Sequence, residues 1–159
     1  MTEETLRARI AGFLADHTTM TLATSAAGGA PAAAAVFYAA DQSLNLIFLS
    51  EETTEHARNL LARPDVAATI QADGQDWRSI RGLQLRGSAT MASTAELPHA
   101  MAVYGRRFAF VGALLAGAQG PGALVGPLAR ARFWVLRPTW FRLVDNTVRF
   151  GFKEELVTT

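Results

Sequence analysis

Residues 44–70, LNLIFLSEETTEHARNLLARPDVAATI, decide how this chain folds. An apolar strand, Leu44 to Leu49, empties into a hydroxyl-rich turn and then into a short helix over 53–63. Pro64 stops the helix, and Asp65 to Ala72 reads as a second apolar strand. Such a turn suits an anion. Ser50, Thr53 and Thr54 offer hydroxyl donors, the first helical turn leaves its N–H groups free, and His56 and Arg58 add imidazole and guanidinium donors. The guest this chemistry fits is a phosphate. The same hydroxyls also serve as helix caps, their commonest use, and a single histidine is more often a surface residue than a ligand.

Outward from this stretch the pattern is strands joined by short turns, with helices added. Thr2 caps a helix to about His17, with Leu6, Ile10, Phe13 and Leu14 on one face. Thr19 to Thr24 reads as a strand, and the loop to Pro31 as its hairpin. Pro31 to Ala39 follows as a strand because turn signals bound its alanines and Val36-Phe37-Tyr38 ends it. Asp73-Gly74 turns the chain into a long strand, Arg78 to Met91, in which Gly82 and Gly87 suggest a bulge or a close backbone approach. Ser93 or Thr94 opens a helix to Val103, and a further helical piece covers about Phe108 to Leu115. GAQGPGALVGP, 117–127, reads as a loop. Ala131 to Val144 returns as a strand broken near Pro138, and Asp145-Asn146 turns it into a last strand, Thr147 to Phe152.

Composition narrows the function classes. The chain has 159 residues, half of them apolar and 18% charged, enough for one domain with a real core over 1–159. A net charge of +1 and scattered arginines argue against nucleic acid. Without cysteine there is no disulfide framework, thiolate nucleophile or thiolate metal site. The charged, amphipathic N-terminal segment is unlike a signal peptide, and no run reaches the ~18 apolar residues of a membrane span, so the expectation is a cytoplasmic protein with no membrane partner. His17, His56 and His99 are far apart and lack carboxylates at metal-ligand spacing, which leaves no expected metal. GPGALVG, 120–126, follows a helix rather than a strand and is stopped by Pro127, so it is no nucleotide loop. There is no G-x-S-x-G elbow for a hydrolase.

These elements describe a mainly β chain of the α+β kind, a small antiparallel barrel with peripheral helices and no βαβ series. In that order, the hairpin start at Gly29 and Pro31, the strand ending Ile47-Phe48-Leu49-Ser50, the helix EHARNLLARPDVAATI and the strand IRGLQLRGSAT resemble the pyridoxamine 5′-phosphate oxidase-like FMN-binding split barrels. IRGLQLRG, YGRRF (104–108) and DNTVRFGFK (145–153) look like its uncharacterised UPF0306/YhbP-like branch. The resemblance runs from residue 19 onward and leaves out 112–130.

The resemblance implies a homodimer of six-stranded antiparallel split barrels, with one FMN in each of two interface grooves. It places the phosphate at Ser50, Thr53, Thr54, His56 and Arg58, where many members carry a lysine at the position of His56. It places the flavin ring against backbone groups of the second strand, Ala32 to Tyr38 with Val36 among them, and against the strand of Arg81, Gly82 and Arg86. The second strand lacks the arginine of the oxidase proper, and the oxidase's substrate-phosphate residues are not recognisable. The expected function is therefore a flavin-dependent oxidoreductase acting on a small molecule or electron donor, and not a true pyridoxamine phosphate oxidase. A binding or storage protein for flavin, the deazaflavin F420 or haem is the alternative, and a ligand-free dimeric interaction module the third. Apolar content including Phe37, Tyr38, Leu83, Leu85 and Trp134 is expected to exceed what one small barrel hides.

Overall fold

The computed structural model describes residues 1–116 and 126–158, so the expected loop at 117–127 lies almost wholly outside the described residues. Thr2 accepts a hydrogen bond from the Thr5 N–H and starts α1 (Glu3–Asp16), which buries Leu6, Ile10, Phe13 and Leu14. The chain then runs through β1 (Thr19–Ser25), β2 (Pro31–Ala40), β3 (Leu46–Glu51), α2 (Glu55–Ala62), β4 (Asp65–Gln71) and β5 (Arg81–Met91). After α3 (Leu97–Arg107) and α4 (Ala109–Ala116) it returns in the long β6 (Ala131–Asp145) and ends in β7 (Lys153–Val157).

All neighbouring strands are antiparallel, in the order β3-β2-β1-β4-β5-β6-β7. The sheet closes on itself because β3 also pairs with β6, from Leu46↔Leu136 to Glu51↔Ala131. Six strands thus form the barrel, as expected, and β7 extends it along β6. Inward residues alternate with outward ones, the period of two that a half-buried strand requires. Met20, Leu22, Tyr38, Phe48, Leu83, Leu85, Trp134 and Phe141 fill the interior. On the outside, Phe133 and Val135 of β6 pack with Ala100, Val103 and Tyr104 of α3 and Val111 of α4 as a second core.

Several boundaries differ from the sequence pattern, each for a local reason. β3 starts at Leu46 rather than Leu44 because the Asp41 carboxylate accepts the Ser43 and Asn45 N–H groups and Leu44 takes a positive φ of 67°. β5 starts at Arg81 because Asp76 accepts the Arg78 N–H and Gln75 accepts the Arg81 N–H. Ser93 and Glu96 cap each other's N–H groups, so α3 begins at Leu97, and it runs on to Arg107. The last strand is not 147–152. Asp145 accepts from both the N–H and the hydroxyl of Thr147, Asn146 accepts the Gly151 N–H, and this longer turn delays β7 to Lys153.

β6 is continuous through Pro138, and the irregularity is a shift of register against β5 between Arg86 and Gly87. At the bulge a Cβ on Gly87 would lie 2.1 Å from the Arg137 carbonyl oxygen, so only glycine fits there. Gly82 has no such constraint, since its nearest atom would be 3.8 Å from a Cβ. Four of the five apolar residues expected to overflow the barrel, Tyr38, Leu83, Leu85 and Trp134, lie inside it, and only Phe37 is exposed, at 59%. The interior is larger than the strand pattern suggested because α1 roofs one end of it. Among the described residues no helix is long and apolar enough to cross a membrane.

Candidate functional site

The turn between β3 and α2 is held from both sides. Trp134 of β6 donates its indole N–H to the Ser50 carbonyl at 3.1 Å. Thr54 is the N-cap of α2, accepting the Ala57 N–H at 3.3 Å and donating its own proton to the Glu51 carbonyl at 2.9 Å. Asn59 anchors the helix from below through the Thr24 hydroxyl. Within this frame Ser50 Oγ lies 2.6 Å from His56 Nε2 and 3.1 Å from Thr54 Oγ1, and Thr54 Oγ1 lies 3.3 Å from His56 Nε2. With the Thr54 proton committed to Glu51, the donors these three side chains keep for an incoming anion come from the Ser50–His56 pair.

Electrostatics sharpen that division. Burial pushes the His56 pKa below its usual value, and the neighbouring Glu55 carboxylate offsets this in smaller measure. Arg58 donates to the Thr53 carbonyl at 2.7 Å, which fixes an otherwise exposed guanidinium beside the turn. Thr53 itself bonds the Glu51 carboxylate, and Glu52 faces Arg132 at 3.8 Å. Three acidic residues therefore flank the turn. An anion would be held by directed hydrogen bonds more than by a general positive field.

A second feature adjoins the turn. The β2–β3 ladder covers only Tyr38↔Phe48, Ala39↔Ile47 and Ala40↔Leu46, so residues 31–37 pair with β1 alone. This is where the barrel splits. Continuing the register would set Val36 level with Ser50. The Tyr38 N–H bonds the Thr18 carbonyl, and backbone direction alternates along an antiparallel strand, so Val36 also faces β1. The groups that face the open edge are those of Ala33, Ala35 and Phe37. Sequence reading placed the strand but not this parity, which only the pairing register reveals.

Ser50, Thr53, Thr54, His56 and Arg58 lie together in and beside this turn. Arg81 and Gly82 do not join them within one barrel. Ser50 pairs with Arg132 and Arg81 with Asp145, thirteen positions apart along β6, roughly 40 Å of strand path. Arg81 sits 3.5 Å from the Asp145 carboxylate and over the Phe13 ring. Arg86 lies over the Trp140 ring on the outer face. The YGRRF segment is the last turn of α3, with Tyr104 buried against Phe108 and Phe133, so it packs the helix on the barrel. Asn146 and Gly151 form the turn before β7, and Lys153 is exposed at its start. Among the described residues no group of three or more His, Cys, Asp or Glu could hold a metal ion.

Residues 6–145 match the family model described as pyridoxamine 5′-phosphate oxidase. The chain belongs to that family. Within the pyridoxamine 5′-phosphate oxidase family it is 31% identical over 121 residues to the UPF0306 protein YhbP of Escherichia coli O157:H7, covering 74% of this chain and 70% of that one. Its fold matches a haem-binding protein from Mycobacterium smegmatis with a TM-score of 0.72 at 23% identity, over 95% of this chain and 57% of that longer one. It also matches a pyridoxamine 5′-phosphate oxidase-related, FMN-binding protein from Nostoc punctiforme with a TM-score of 0.66 at 13% identity, over 96% of both chains. The fold thus occurs with flavin and with haem among its structural neighbours.

Proposed function

We propose that this chain binds FMN, with the phosphate in the β3–α2 turn and the flavin ring along the open edge of β2, and acts as a small-molecule oxidoreductase. The observation that carries this reading is the convergence of Ser50, Thr54 and His56 on one point beside a strand edge with unpaired backbone groups. The residues fit the group: hydroxyl, imidazole and guanidinium donors for a phosphate, and backbone donors and acceptors for the polar rim of the ring. When bound, the flavin supplies two-electron chemistry, and the polypeptide anchors and orients it. The absence of arginine from β2 argues against a true pyridoxamine phosphate oxidase.

The purified protein tests this by its colour. Absorbance bands near ~370 and ~450 nm support flavin, whereas a sharp band near ~410 nm would replace that reading with haem. Haem is the second reading because a haem-binding protein shares the fold.

The proposal includes a homodimer. The outer faces of β1, β2 and β4 carry Ala23, Ala33, Ala35, Phe37 and Ala67, and a groove of about 330 Å3 runs from Thr21 and Ala67 to Arg86 and Trp140. A two-fold axis across this face reverses strand direction, so it carries the Arg81–Gly82 end of one barrel toward the Ser50 end of its partner. Light scattering at micromolar concentration should give about 34 kDa, twice the 17.1 kDa chain. A 17.1 kDa monomer that binds flavin stoichiometrically would overturn the shared groove.

His56 gives the site a pH dependence. Its free-state pKa is lowered by burial, and a phosphate dianion beside it favours the charged ring. Binding therefore takes up a proton, and affinity should fall as pH rises from the depressed free-state value through the raised bound-state value, then level off. Titration of FMN between pH ~6 and ~9 checks this against His56→Lys, whose ammonium stays charged to about pH 10 and should flatten the curve. The comparison cancels the second ionisation of the phosphate near pH ~6. Superimposable profiles would make His56 a bystander.

A further inference from the structure

We propose that the cleft between α3 and the β2–β3 turn is a second binding site, for a small organic anion that carries an apolar body. The cleft is open to solvent, has a volume of about 560 Å3 and is lined by Gln42, Ser43, His99, Arg106 and Arg107, with Asp41 in its wall. A smaller recess of about 150 Å3 adjoins it, sharing Ala40, Asp41, Val103 and Arg107 and lined further by Ala11, Leu14 and Leu44. The larger space is basic through Arg106 and Arg107, and the smaller adds mainly aliphatic side chains.

The charges in the larger space favour an anion. Among the described residues Asp41 is the one carboxylate lining it, and it is already satisfied by the Ser43 N–H, both nitrogens of Asn45 and the His99 ring at 3.0 Å. The His99 ring is thus engaged by Asp41 through Nε2. Arg107 is held by one bond to the His17 carbonyl at 3.0 Å. Arg106 is exposed and makes no hydrogen bond or ion pair among the described residues. Two guanidiniums thus face a space whose carboxylate, among the described residues, is already hydrogen-bonded, and they are the donor set for a carboxylate or phosphate.

This site is separate from the phosphate turn and does not depend on the FMN reading. The cleft adjoins the start of β3 and the turn follows its end, with Leu46 and Ser50 four residues apart, about 13 Å along the strand. Phenyl phosphate, which pairs an oxyanion with a ring, is the probe. An amide NMR titration of the full chain should show saturable shifts at 41–43 and 99–107. Arg106→Ala should weaken binding about tenfold or more at those positions, and Arg58→Ala should leave it unchanged. Inorganic phosphate should bind about tenfold more weakly than phenyl phosphate, since it leaves the apolar recess empty. Shifts confined to 50–58, no saturation by about 10 mM, unchanged affinity in Arg106→Ala, or equal affinity for the two probes would each overturn the proposal.

Discussion

Trp134→Ala is expected to destabilise the protein by about 3–5 kcal/mol, the range for emptying a large aromatic site in a packed core. The side chain is fully buried, stacks with Phe48 at a centroid distance of 6.1 Å and stands where β6 pairs with both β3 and β5. Its neighbours belong to a closed barrel and cannot collapse inward without breaking a ladder, so little of the cavity would be recovered. Thermal unfolding should show a midpoint lower by roughly 10 °C or more. Trp134→Phe separates packing from hydrogen bonding. It keeps most of the ring volume, leaves the Ser50 carbonyl without its indole partner, and should cost about 1–3 kcal/mol. A loss under about 1 kcal/mol in Trp134→Ala would show that the ring is not part of the packed interior.

Arg58→Ala is expected to weaken FMN about tenfold to a hundredfold, the loss of one charge-assisted hydrogen bond worth about 1.5–3 kcal/mol. Arg58 is the cleanest residue in the turn to remove. Thr54 caps α2 and bonds the Glu51 carbonyl, so its substitution mixes lost binding with about 1 kcal/mol of lost helix stability. Ser50 is buried and bonds His56, so changing it disturbs the ring as well. The Arg58 guanidinium, by contrast, is exposed and bonds only the Thr53 carbonyl, so stability should move by no more than about 0.5 kcal/mol. Flavin fluorescence on wild type and variant checks this, and equal affinities would remove the turn from the phosphate site.

The barrel was legible because its strands are alternating or continuous apolar runs bounded by turns with strong chemical signals, as the Ala-rich β2 shows. There, flanking turns and Val36-Phe37-Tyr38 outweighed helix propensity, and the strand forms. The grouping of Ser50, Thr54 and His56 was legible because they lie within seven residues, where local geometry alone sets proximity. What was not legible depends on partners distant in the chain. The inward direction of Trp134 is set by its register with Phe48, and the delay of β7 by side-chain bonds from Asp145 and Asn146. The separation of Arg81 from Ser50 follows from the length of β6, which no local pattern encodes.

The closure of β3 on β6 also bears on how the protein reaches its folded state. Ser50 and Arg132 face each other although 82 residues separate them. Bringing such distant segments together costs about 2 kcal/mol more chain entropy than forming a ten-residue hairpin, and contacts of this kind slow folding. The hairpins β1–β2 and β4–β5 have short loops and can form early. The β3–α2 turn cannot mature with them, because its Ser50 carbonyl waits for the indole of Trp134 across that closure. On the proposed reading, competence to bind therefore arrives with that seam of the barrel, and a ligand seated there would act as a latch on the whole chain.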